Sequence, residues 1–415
     1  MSRNLRILVI TSTYPRHEQD YAVPWMREAH RRIVERGHHV TVLAPSYQGL
    51  KTHTIDGVEV QRYRYAPKSV ERLTHEEGAT YKVRKAYMQL LAIPYIILGC
   101  IAAARLAMTR KFDVIHVHWP FPHGIMGQVA RLFSGAALVI MSHGAEFSLA
   151  RRKRWVLPFL RQSLRAADLR ISNSSDTGRM VEECCGKPCN VLPYGTTVQS
   201  KERERPENPV PRILFTGRLI ERKGLEYLLE AVPKILQREK AEFVITGNGD
   251  QREKLERIHK ELNLGDSVKF LGFVSNEQLA EEYAKCDIWV NPAITDSWGD
   301  VEGLGVGSIE AYSYFKPVVA CSVGGIPDTV RNGQTGYLVP EKNADALANA
   351  IIDLLENPEK RREFGKAGFK FAQKTFSWSR ITTDLEELYS IAQVQSSLPS
   401  KVMLPALLPV ETVAA

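Results

Sequence analysis

The stretch RILFTGRLIERKGLEYLLEAVPKIL, residues 212–236, decides the fold. An apolar run that is typical of a buried strand ends at Gly217 and is followed by a turn rich in Gly, Arg and Lys, and then by a helical segment. Short Val- and Ile-rich runs alternate with helical segments in the same way from end to end of the chain. This alternation is typical of parallel sheets with helical crossovers, so we predict an α/β protein.

Similar runs extend the pattern through both halves of the chain. The predicted strands are 5–10, 40–44, 112–118, 138–142, 169–172 and 190–193 in the first half, and 212–217, 242–247, 268–272, 288–291, 317–322 and 336–339 in the second. The segment KERERPENPVPR (201–212) is charged and Pro-rich without an apolar period, which is typical of a linker. We therefore predict two successive doubly wound domains, 1–198 and 206–375, with a hinge near residue 200.

The composition is that of a globular protein long enough for two cores. The chain has 415 residues, 44% hydrophobic and 25% charged, which excludes a disordered chain, a collagen-like repeat and a disulfide-stapled miniprotein. Three of the six cysteines cluster in CCGKPC (184–189), but no second group of Cys or His follows at zinc spacing, so we predict reduced thiols and no metal site. The start, MSRNLRILVITSTYP, lacks the features of a secretory signal, and we expect a cytoplasmic protein.

Charge is distributed unevenly between the halves. Residues 1–198 contain 28 Lys and Arg against 15 Asp and Glu, a net charge of +13, whereas residues 199–415 contain 27 against 32, a net charge of −5. A basic half predicts contact with something anionic: nucleic acid, a phospholipid surface or an acidic acceptor. Because this half has no helix-turn-helix and no aromatic RNA-binding signature, we expect no nucleic-acid partner.

One segment is apolar enough to be considered as a membrane span, YMQLLAIPYIILGCIAAARLAM (87–108). It contains Pro94 and Arg105 and leads directly into a predicted strand, so a buried or surface-docked helix fits it better than a crossing. RRKRW (151–155) places four cations beside an interfacial aromatic residue, which suits an anionic membrane surface. A solvated, charged helix face explains the same five residues equally well.

The turn GRLIERKG (217–224) lies where an open α/β sheet binds ligands, beyond the carboxyl end of a strand and before a helix. Glycine allows the backbone to approach a ligand closely, and Arg218 and Lys223 place two cations near a helix N-terminus. This combination suits a diphosphate. A tight turn with solvent-facing charges is an equally good interpretation of the spacing alone.

A second glycine-rich turn, EGLGVGSIE (302–310), runs into a helix. If the segment were helical throughout, Glu302 and Glu310 would lie about 12 Å apart along the axis. The paired carboxylates of a glycosidase lie roughly 5 to 9.5 Å apart, so the spacing favours two binding or electrostatic roles over an acid/base pair. Two ordinary glutamates at helix ends are the alternative.

Histidines follow predicted strands in the first half. His143 begins HGAE, and His116, His118 and His123 belong to HVHWPFPH. A histidine at a strand end can donate to a substrate hydroxyl without titrating, although lone histidines usually pack in the core. GNGDQR (247–252) lacks the third glycine of a dinucleotide-binding loop, and the chain has no G-x-x-x-x-G-K-[ST] phosphate loop.

Taken together, GRLIERKG, EGLGVGSIE, the following PVVACSVGGIPDTV and GQTGYLV, HGAE and the late FSWSRI resemble glycosyltransferase family 4. The resemblance covers about residues 5–392, and the order of the motifs makes it specific. It implies the GT-B architecture, two Rossmann-like domains facing across a cleft, with the nucleotide-sugar held mainly by the second and the acceptor mainly by the first. It also implies that the chain after Trp378, about 376–392, forms a helix that packs back on the first domain. The residues 393–415, rich in Pro and without a period, are predicted to be a loose tail.

The resemblance assigns donor-binding roles to the first of the two turns and to both glutamates. Beside Gly217, Arg218 and Lys223 would bind and neutralise the leaving nucleoside diphosphate. Glu310 would bind the ribose hydroxyls, and Glu302 would contact the donor sugar.

It assigns further contacts to backbone and apolar groups. Backbone amides at Leu304, Gly305 and Val306 would hold sugar hydroxyls or phosphate, and Phe273 and Val274 would border the base. In the first domain His143 would lie beside the transferred sugar. The resemblance thus implies that His143 shares the catalytic work with Glu302, Arg218 and Lys223.

The chain departs from the family pattern at three places. TSTYPRHEQDYAVPWMRE (11–28) stands where the first loop of the family often has paired glycines, which leaves the acceptor-side contacts open. Tyr194-Gly195 replaces the usual Asn-Gly near the hinge, and Leu304 replaces the common Phe of Glu-Gly-Phe-Gly. The last two departures are interpreted as subfamily variation.

Departure of a nucleoside diphosphate builds negative charge, which fixed cations and helix amides can stabilise without a divalent metal. We therefore predict transfer without a metal or another cofactor, and assign Asp296 and Asp300 to the loop before Glu302. Family 4 transfers with retention at the anomeric carbon. Because the motifs contain no obvious nucleophile, our hypothesis is a same-face displacement in which the leaving phosphate helps to take the acceptor's proton.

The sequence therefore predicts an enzyme, a retaining hexosyltransferase that moves a sugar from a nucleotide-sugar donor onto a glycan or lipid-linked acceptor. We expect it in cell-surface polysaccharide or glycolipid synthesis, peripheral on the inner face of the cytoplasmic membrane, in contact with anionic lipid. Two alternatives stay open: a nonenzymatic nucleotide- or glycan-binding protein with a GT-B shell, and a sugar phosphorylase, which would depend on inorganic phosphate.

Overall fold

The chain folds into two compact units. The computed structural model describes residues 4–20, 22–74, 86–196, 208–398 and 404–408. The first unit consists of the described residues up to Gly195 together with those from Ile381 onward, and the second of those from Thr196 to Arg380. Most of the predicted linker, residues 201–207, lies outside the described residues.

The first unit is built on a sheet of eight strands within its described part. They are β1 (Arg6–Ile10), β2 (His39–Pro45), β3 (His53–Ile55), β4 (Val58–Tyr63), β5 (Val114–His118), β6 (Ala137–Ser142), β7 (Leu169–Ser172) and β8 (Asn190–Val191). The order is β3-β4-β2-β1-β5-β6-β7-β8, and neighbours are parallel except β3 and β4. The helices are α1 (Pro24–Glu35), α2 (Ala86–Thr109), α3 (Pro120–Ser134), α4 (Ala145–Arg152), α5 (Val156–Ala166) and α6 (Ser175–Cys185).

The alternation of side chains along β5 gives this sheet two different faces. Ile115 and Val117 belong to the apolar core that also takes in residues of α2, α3 and α5. His116 and His118 alternate with them, and the ring of His118 contacts that of His30 in α1 at 6.0 Å between centroids. The sheet therefore separates an apolar layer from a layer of histidines.

Helix α2 is docked on the first unit, and it is also the most apolar helix. By length and composition alone, its window Leu90–Thr109 is long and apolar enough to cross a membrane, with a mean hydropathy of 2.0, and 22% of that window is buried. It packs on α3, where the hydroxyl of Tyr95 and Nε2 of His123 lie 2.8 Å apart. The predicted helix 87–108 is therefore present and lies on the protein's surface.

The second unit contains a parallel sheet of six strands in its described part. They are β9 (Arg212–Thr216), β10 (Glu242–Thr246), β11 (Val268–Gly272), β12 (Ile288–Asn291), β13 (Val318–Cys321) and β14 (Gly336–Val339), in the order β11-β10-β9-β12-β13-β14. The helices are α7 (Leu225–Leu236), α8 (Arg252–Glu261), α9 (Asn276–Lys285), α10 (Val306–Ser313), α11 (Ala344–Glu356) and α12 (Pro358–Phe376). The strand order reverses between β9 and β12, and ligands bind at such a switch point beyond the carboxyl ends of the strands.

The C-terminal segment differs from the prediction of a helix to residue 392 and a loose tail after it. Helix α13 (Trp378–Ser397) continues to Ser397, with Tyr389 buried in the first unit. Farther on, Leu408 donates its N–H to Oδ1 of Asn190 at 3.0 Å and accepts a hydrogen bond from the N–H of Val191 at 2.7 Å. The backbone groups of the edge strand β8 would otherwise be unpaired, and they bind the passing chain despite its Pro-rich composition.

Smaller differences have local causes. The strands β3 and β4 were not predicted, because the prediction rested on continuous Val- and Ile-rich runs and HTI and VEVQRY are short and mixed in polarity. The predicted strand 190–193 is only two residues long, Asn190–Val191. The six cysteines are free thiols, as predicted, and burial raises the pKa of Cys189 to about 12, so that thiol stays protonated at neutral pH.

Candidate active site

The loops after β9 and β10 lie back to back at the switch point. A Cβ on Gly247 would lie 2.0 Å from the carbonyl oxygen of Gly217, and a Cβ on Gly249 would lie 2.1 Å from that of Leu219. No residue with a side chain fits at such distances. Leu219 also donates its N–H to the carbonyl oxygen of Asn248 at 3.0 Å. The glycines of GNGD thus hold the first turn in shape.

Lys223 lies just before α7, as the last residue of a short turn that ends at Gly224. The segment Glu221–Lys223 is one 3-10 turn, and Gly224 follows with φ of 60°, a conformation that favours glycine. A Cβ on Gly224 would lie 2.1 Å from the carbonyl oxygen of Pro292, so the turn also packs directly against the chain after β12. This places Lys223 next to the segment that leads to Glu302.

Glu302 is held by two cations on one of its oxygens. Its Oε2 accepts hydrogen bonds from Nη1 of Arg222 at 2.8 Å and from Nζ of Lys223 at 2.6 Å. Burial by itself raises the pKa of Glu302, but the charges and hydrogen bonds of Lys223 and Arg222 outweigh it and lower the pKa to about 2. The carboxylate is therefore ionised at neutral pH, and it is not a general acid.

Arg218 adds a third cation to this cluster. It is an exposed residue, yet the surrounding loops partly desolvate its guanidinium, and this desolvation, followed by the charge of Arg222, lowers its pKa from the ordinary value. Glu302 and Asp250 act in the opposite direction. Three cations against the carboxylates of Glu302 and Asp250 leave a net positive site, which is suited to an anion.

The turn before α10 fixes the backbone of Glu302 and presents the first amides of the helix. Gly325 donates its N–H to the carbonyl oxygen of Glu302 at 2.9 Å. Leu304 is buried, Gly305 has φ of 79°, and α10 begins at Val306. Glu302 thus lies in the turn, so the 12 Å separation predicted for a continuous helix does not apply. The amides of Leu304, Gly305 and Val306 lie at or near the N-terminus of the helix, where anions are favoured.

Glu310 is positioned by a chain of hydrogen bonds that begins at the core. Nε1 of Trp289 in β12 donates to Oγ1 of Thr216 at 3.1 Å, and Oγ1 of Thr216 lies 2.9 Å from the hydroxyl of Tyr283. Tyr283 donates to Oε2 of Glu310 at 2.8 Å. Burial, together with the negative charge of Glu310, raises the pKa of Tyr283 well above its ordinary value, so the hydroxyl keeps its proton. The end of β9 therefore connects Glu310 to the turn that carries Gly217 and Arg218.

The remaining residues predicted for the donor lie farther along the sheet edge. Phe273 and Val274 follow β11, which is separated from β9 by β10, and Phe273 is 83% exposed. Asp296 accepts hydrogen bonds on Oδ1 from the N–H groups of Trp298 and Asp300, both at 2.8 Å. That carboxylate closes the turn of the loop before Glu302. Among the described residues, no group of three or more His, Cys, Asp or Glu is arranged to hold a metal ion.

His143 belongs to the first unit and lies in a buried cluster of rings. Its Nδ1 is 2.7 Å from the hydroxyl of Tyr194, and its Nε2 is 3.1 Å from Nδ1 of His118. The rings of Trp25 and Trp119 lie 5.0 and 4.7 Å from it. Burial lowers the pKa of His143 to about 3, so the imidazole is neutral and both ring nitrogens are engaged by the protein.

Two strained backbone positions border this cluster. Val23, two residues before Trp25, has φ of 44°, and Trp119 has φ of 60°. Such conformations are costly for bulky residues and are concentrated at functional sites. Both residues therefore mark the end of the first sheet that carries His143 as a candidate site.

Two side chains of the second unit were missed from the sequence. Arg222 lies within GRLIERKG, and no role was predicted for it. A 3-10 turn can nevertheless bring Arg222 and Lys223 to one carboxylate. Tyr283 had no sequence signal, because it approaches Glu310 only through the folding of α9 against α10.

Family models match most of the chain. The model described as Glycosyltransferase Family 4 matches residues 25–199, and the model described as Glycosyl transferases group 1 matches residues 198–371. A monoacylated α-(1-6)-phosphatidylinositol monomannoside mannosyltransferase of Corynebacterium glutamicum, GDP-mannose-dependent by name, is 30% identical over 69% of this chain and 79% of its own length. The α-(1-6)-phosphatidylinositol monomannoside mannosyltransferase of Mycobacterium tuberculosis, also named as GDP-mannose-dependent, is 26% identical over 92% of this chain and 97% of its own length.

Solved structures show the same fold. Sucrose-phosphate synthase from Thermosynechococcus elongatus matches with a TM-score of 0.72 at 22% identity, covering 93% of this chain and 98% of that one. HepE from Anabaena, in a complex with UDP and glucose, matches with a TM-score of 0.69 at 18% identity, covering 93% and 100%. These similarities show that the fold is GT-B, as predicted from the motifs.

Proposed function

The chain belongs to glycosyltransferase family 4, and from this we propose that it transfers a hexose from a nucleotide-sugar, with retention and without a metal, to a glycan or lipid-linked acceptor. The main support for binding of a nucleotide-sugar is the cluster of Arg218, Arg222 and Lys223 around Glu302 at the end of β9. A net positive site beside helix N-termini is what a departing diphosphate requires. The two mannosyltransferase relatives are named as GDP-mannose-dependent, so GDP-mannose is the first donor to test.

In the proposed step the bond between the anomeric carbon and the phosphate oxygen breaks. The acceptor oxygen forms its bond to the same face of that carbon, and its proton passes to the departing phosphate oxygen. Arg218 and Lys223 neutralise the charge that develops on the diphosphate, as fixed donors do without reorganisation. Glu302, ionised and fixed, contacts the hydroxyls of the donor sugar, and Glu310 contacts those of the ribose. His143 lies beside the sugar and acts as a neutral ring.

The acceptor side is proposed to belong to glycolipid or cell-surface polysaccharide synthesis on the inner face of the cytoplasmic membrane. The names of the mannosyltransferase relatives refer to a phosphatidylinositol mannoside, which is a lipid-linked acceptor. The net charge of +13 on residues 1–198 favours contact with anionic lipid.

A donor screen tests the proposal most directly. The purified protein is mixed with UDP-, GDP- and ADP-sugars, and thermal unfolding is followed. A donor at 100 times its dissociation constant should stabilise the protein by about 2.7 kcal/mol. Stabilisation by none of these donors would contradict the proposed function.

Product analysis then separates the finer statements. With the best donor, NMR of the product should show the anomeric configuration of the donor, and turnover should persist in EDTA and in phosphate-free buffer. Loss of turnover in EDTA would overturn metal independence. A requirement for inorganic phosphate would identify a phosphorylase instead.

A further inference from the structure

Helix α2 exposes five large apolar residues on one side, and Tyr95 and several small residues are buried on the other. Five large side chains spaced three, four, four and seven residues apart share one side of the helix, and each is between 54% and 70% exposed; we call Leu90, Ile93, Ile97, Ile101 and Met108 the apolar stripe. A helix of a water-soluble domain normally has the opposite arrangement. The stripe lies on the outer surface of the first unit.

The opposite side of α2 holds the helix on the protein. Tyr95, Ala103 and Ala107 are buried there, and a Cβ on Gly99 would lie 2.5 Å from Cε of Met126 in α3. This close contact keeps α2 against α3, so the stripe would meet a membrane from the side and not cross it. Such a helix lies parallel to the interface.

Aromatic rings are exposed at the N-terminal ends of α3 and α5, and α3 packs against both α2 and α5. The ring of Phe121 lies 5.8 Å from that of Trp155 and 6.1 Å from that of Phe159. Trp155 is 60% exposed and Phe159 is 48% exposed. Exposed Trp and Phe side chains are typical of protein surfaces that enter the headgroup region of a bilayer.

The positive charge of this surface favours an anionic binding partner. The segments 86–112, 119–136 and 147–167 contain ten Lys and Arg and no Asp or Glu, and two of these cations, Arg110 and Arg131, pair with Glu59 and Asp168 of neighbouring segments. Lys153 and Arg154 are exposed directly beside Trp155. A second copy of the chain, meeting this face across a twofold axis, would place like charges together, which is unfavourable. An anionic bilayer offers an apolar environment to the stripe and negative charge to the cations.

We propose that the apolar stripe, the rings of Phe121, Trp155 and Phe159 and the neighbouring cations form a surface that docks into an anionic phospholipid bilayer. Trp119, next to α3, contacts the ring of His143, so the docked edge leads to the candidate acceptor side of the first unit. An acceptor anchored in the same bilayer would therefore reach His143 without leaving the membrane, a consequence that rests on the proposed function.

Vesicle co-sedimentation tests the docking surface with the full chain. At about 0.1 M salt the protein should sediment with vesicles of phosphatidylcholine and phosphatidylglycerol, and much less with phosphatidylcholine alone. The variant I93S/I97S/I101S should lose binding, and K153Q/R154Q should weaken it by about tenfold or more. These positions are exposed, so both variants should keep the melting temperature of the wild type.

Matched variants control for the substitutions themselves. Val394 on α13 is 53% exposed, and Lys366 and Lys370 on α12 are exposed lysines of the second unit. V394S and K366Q/K370Q should sediment as the wild type does. Wild-type protein that stays in the supernatant with both kinds of vesicle would overturn the proposal, as would binding that neither test variant weakens. A dimer that forms without vesicles and is lost in I93S/I97S/I101S would assign the stripe to a second copy instead.

Docking on vesicles and the proposed transfer reaction can be tested independently of each other. Stabilisation by UDP or GDP in solution, without vesicles, should be the same in the docking variants and the wild type. If the protein docks on anionic vesicles but no nucleotide stabilises it, the docking surface stands and the proposed transfer falls. If nucleotides stabilise the protein and it does not bind vesicles, the docking surface falls and the proposed transfer stands.

Discussion

Glu302 accepts hydrogen bonds from Arg222 and Lys223 on a single oxygen, Oε2. At the scale of single residues, this arrangement decides how each cation acts. Arg222 fixes a carboxylate that is proposed to contact the donor sugar, so it is a positioning residue. The pKa of Arg218 is lowered first by desolvation and then by the charge of Arg222, and an added anion would offset both effects.

Replacing Arg222 should affect donor binding more than turnover. In Arg222→Gln the remaining Lys223 still holds Glu302, but one fixed charge and one hydrogen bond are lost, so KM for the donor should rise by about tenfold with a smaller change in kcat. Arg222→Lys should restore much of the affinity. Arg238→Gln, which removes an exposed partner of Glu356 in the same unit, is the control and should leave KM unchanged. Equal KM values for Arg222→Gln and the wild type would show that Arg222 has no positioning role.

Replacing Arg218 should affect the transition state instead. If Arg218 is a preorganised donor to the leaving diphosphate, Arg218→Ala should cost about 2.7 to 4 kcal/mol of transition-state stabilisation, or about 10² to 10³ in kcat. Its melting temperature should stay close to that of the wild type, because removal of Arg218 also relieves repulsion with Arg222. Steady-state kinetics of the purified variant check this, and wild-type turnover would contradict the role.

Single residues were predictable where a motif carried them, and not where a contact is made across the fold. The sequence pointed to Lys223 and Glu302 separately, and the structure joins them at 2.6 Å. Tyr283 was missed because its bond to Glu310 depends on how α9 packs against α10. The neutral, fully engaged ring of His143 was equally hidden, since Tyr194 lies 51 residues farther along the chain.

At the scale of elements, one hydrogen-bonded chain connects β12, β9, α9 and α10. Trp289, Thr216, Tyr283 and Glu310 are its members, one from each element in that order. Rigid elements place a binding group more reproducibly than a loop does. The position of Glu310 is therefore set by the core of the second unit.

Tyr283→Phe should interrupt this chain and loosen Glu310. Loss of one buried hydroxyl should lower the free energy of unfolding by about 0.5 to 1.5 kcal/mol, and KM for the donor should rise severalfold. The matched control is Tyr312→Phe, which removes another buried hydroxyl of the same unit, bonded to Oγ1 of Thr335 at 2.8 Å. Chemical denaturation should give similar losses for the two variants, and only Tyr283→Phe should change KM. A changed KM in both would attribute the effect to stability alone.

Elements were predictable when their residues were uniformly apolar. The buried parallel strands are continuous Val- and Ile-rich runs, so their positions follow from the sequence. The hairpin of β3 and β4 mixes polar and apolar residues, and Leu408 is paired only because β8 is an edge strand. For α2 the helix itself was predictable, but the side that it exposes was not, since apolar residues occur all round it.

At the scale of the whole molecule, each half of the chain forms its own doubly wound sheet, and their buried polar groups differ in kind. The second unit concentrates ion pairs around Glu302, whereas the first buries neutral histidines. Side chains alternate along β5, so Ile115 and Val117 lie on the apolar face of the sheet and His116 and His118 lie on the opposite face. This alternation accounts for two of the buried histidines. The pH dependence of stability between pH 6.5 and about 5 should therefore be a property of the first unit.

Acid should destabilise the first unit through five histidines. Burial lowers the pKa of each below its ordinary value of 6.5, to about 3 for His30 and His143, to about 4 for His123, and well below 6.5 for His116 and His118. The unfolded chain takes up protons near pH 6.5 while the folded unit does not, so the free energy of unfolding falls as the pH falls below 6.5. Each histidine contributes about 1.4 kcal/mol to the loss between pH 7.5 and 5.5.

Carboxyl groups limit the pH range over which the histidines determine stability. The buried Glu146 has a raised pKa and therefore opposes the histidines, but it is one carboxyl against five imidazoles. The carboxylates with lowered pKa, Glu302 among them at about 2, lose their contribution only below their unfolded values near 4. Between pH 6.5 and about 5 the histidines consequently dominate.

Chemical denaturation at pH 7.5 and 5.5 and constant ionic strength measures this loss. His123→Gln should reduce the difference between the two pH values by up to about 1.4 kcal/mol, while keeping a polar partner for Tyr95. Equal unfolding free energies at the two pH values would mean that the buried imidazoles are protonated in the folded unit as readily as in the unfolded chain, and the neutral ring assigned to His143 would then be wrong.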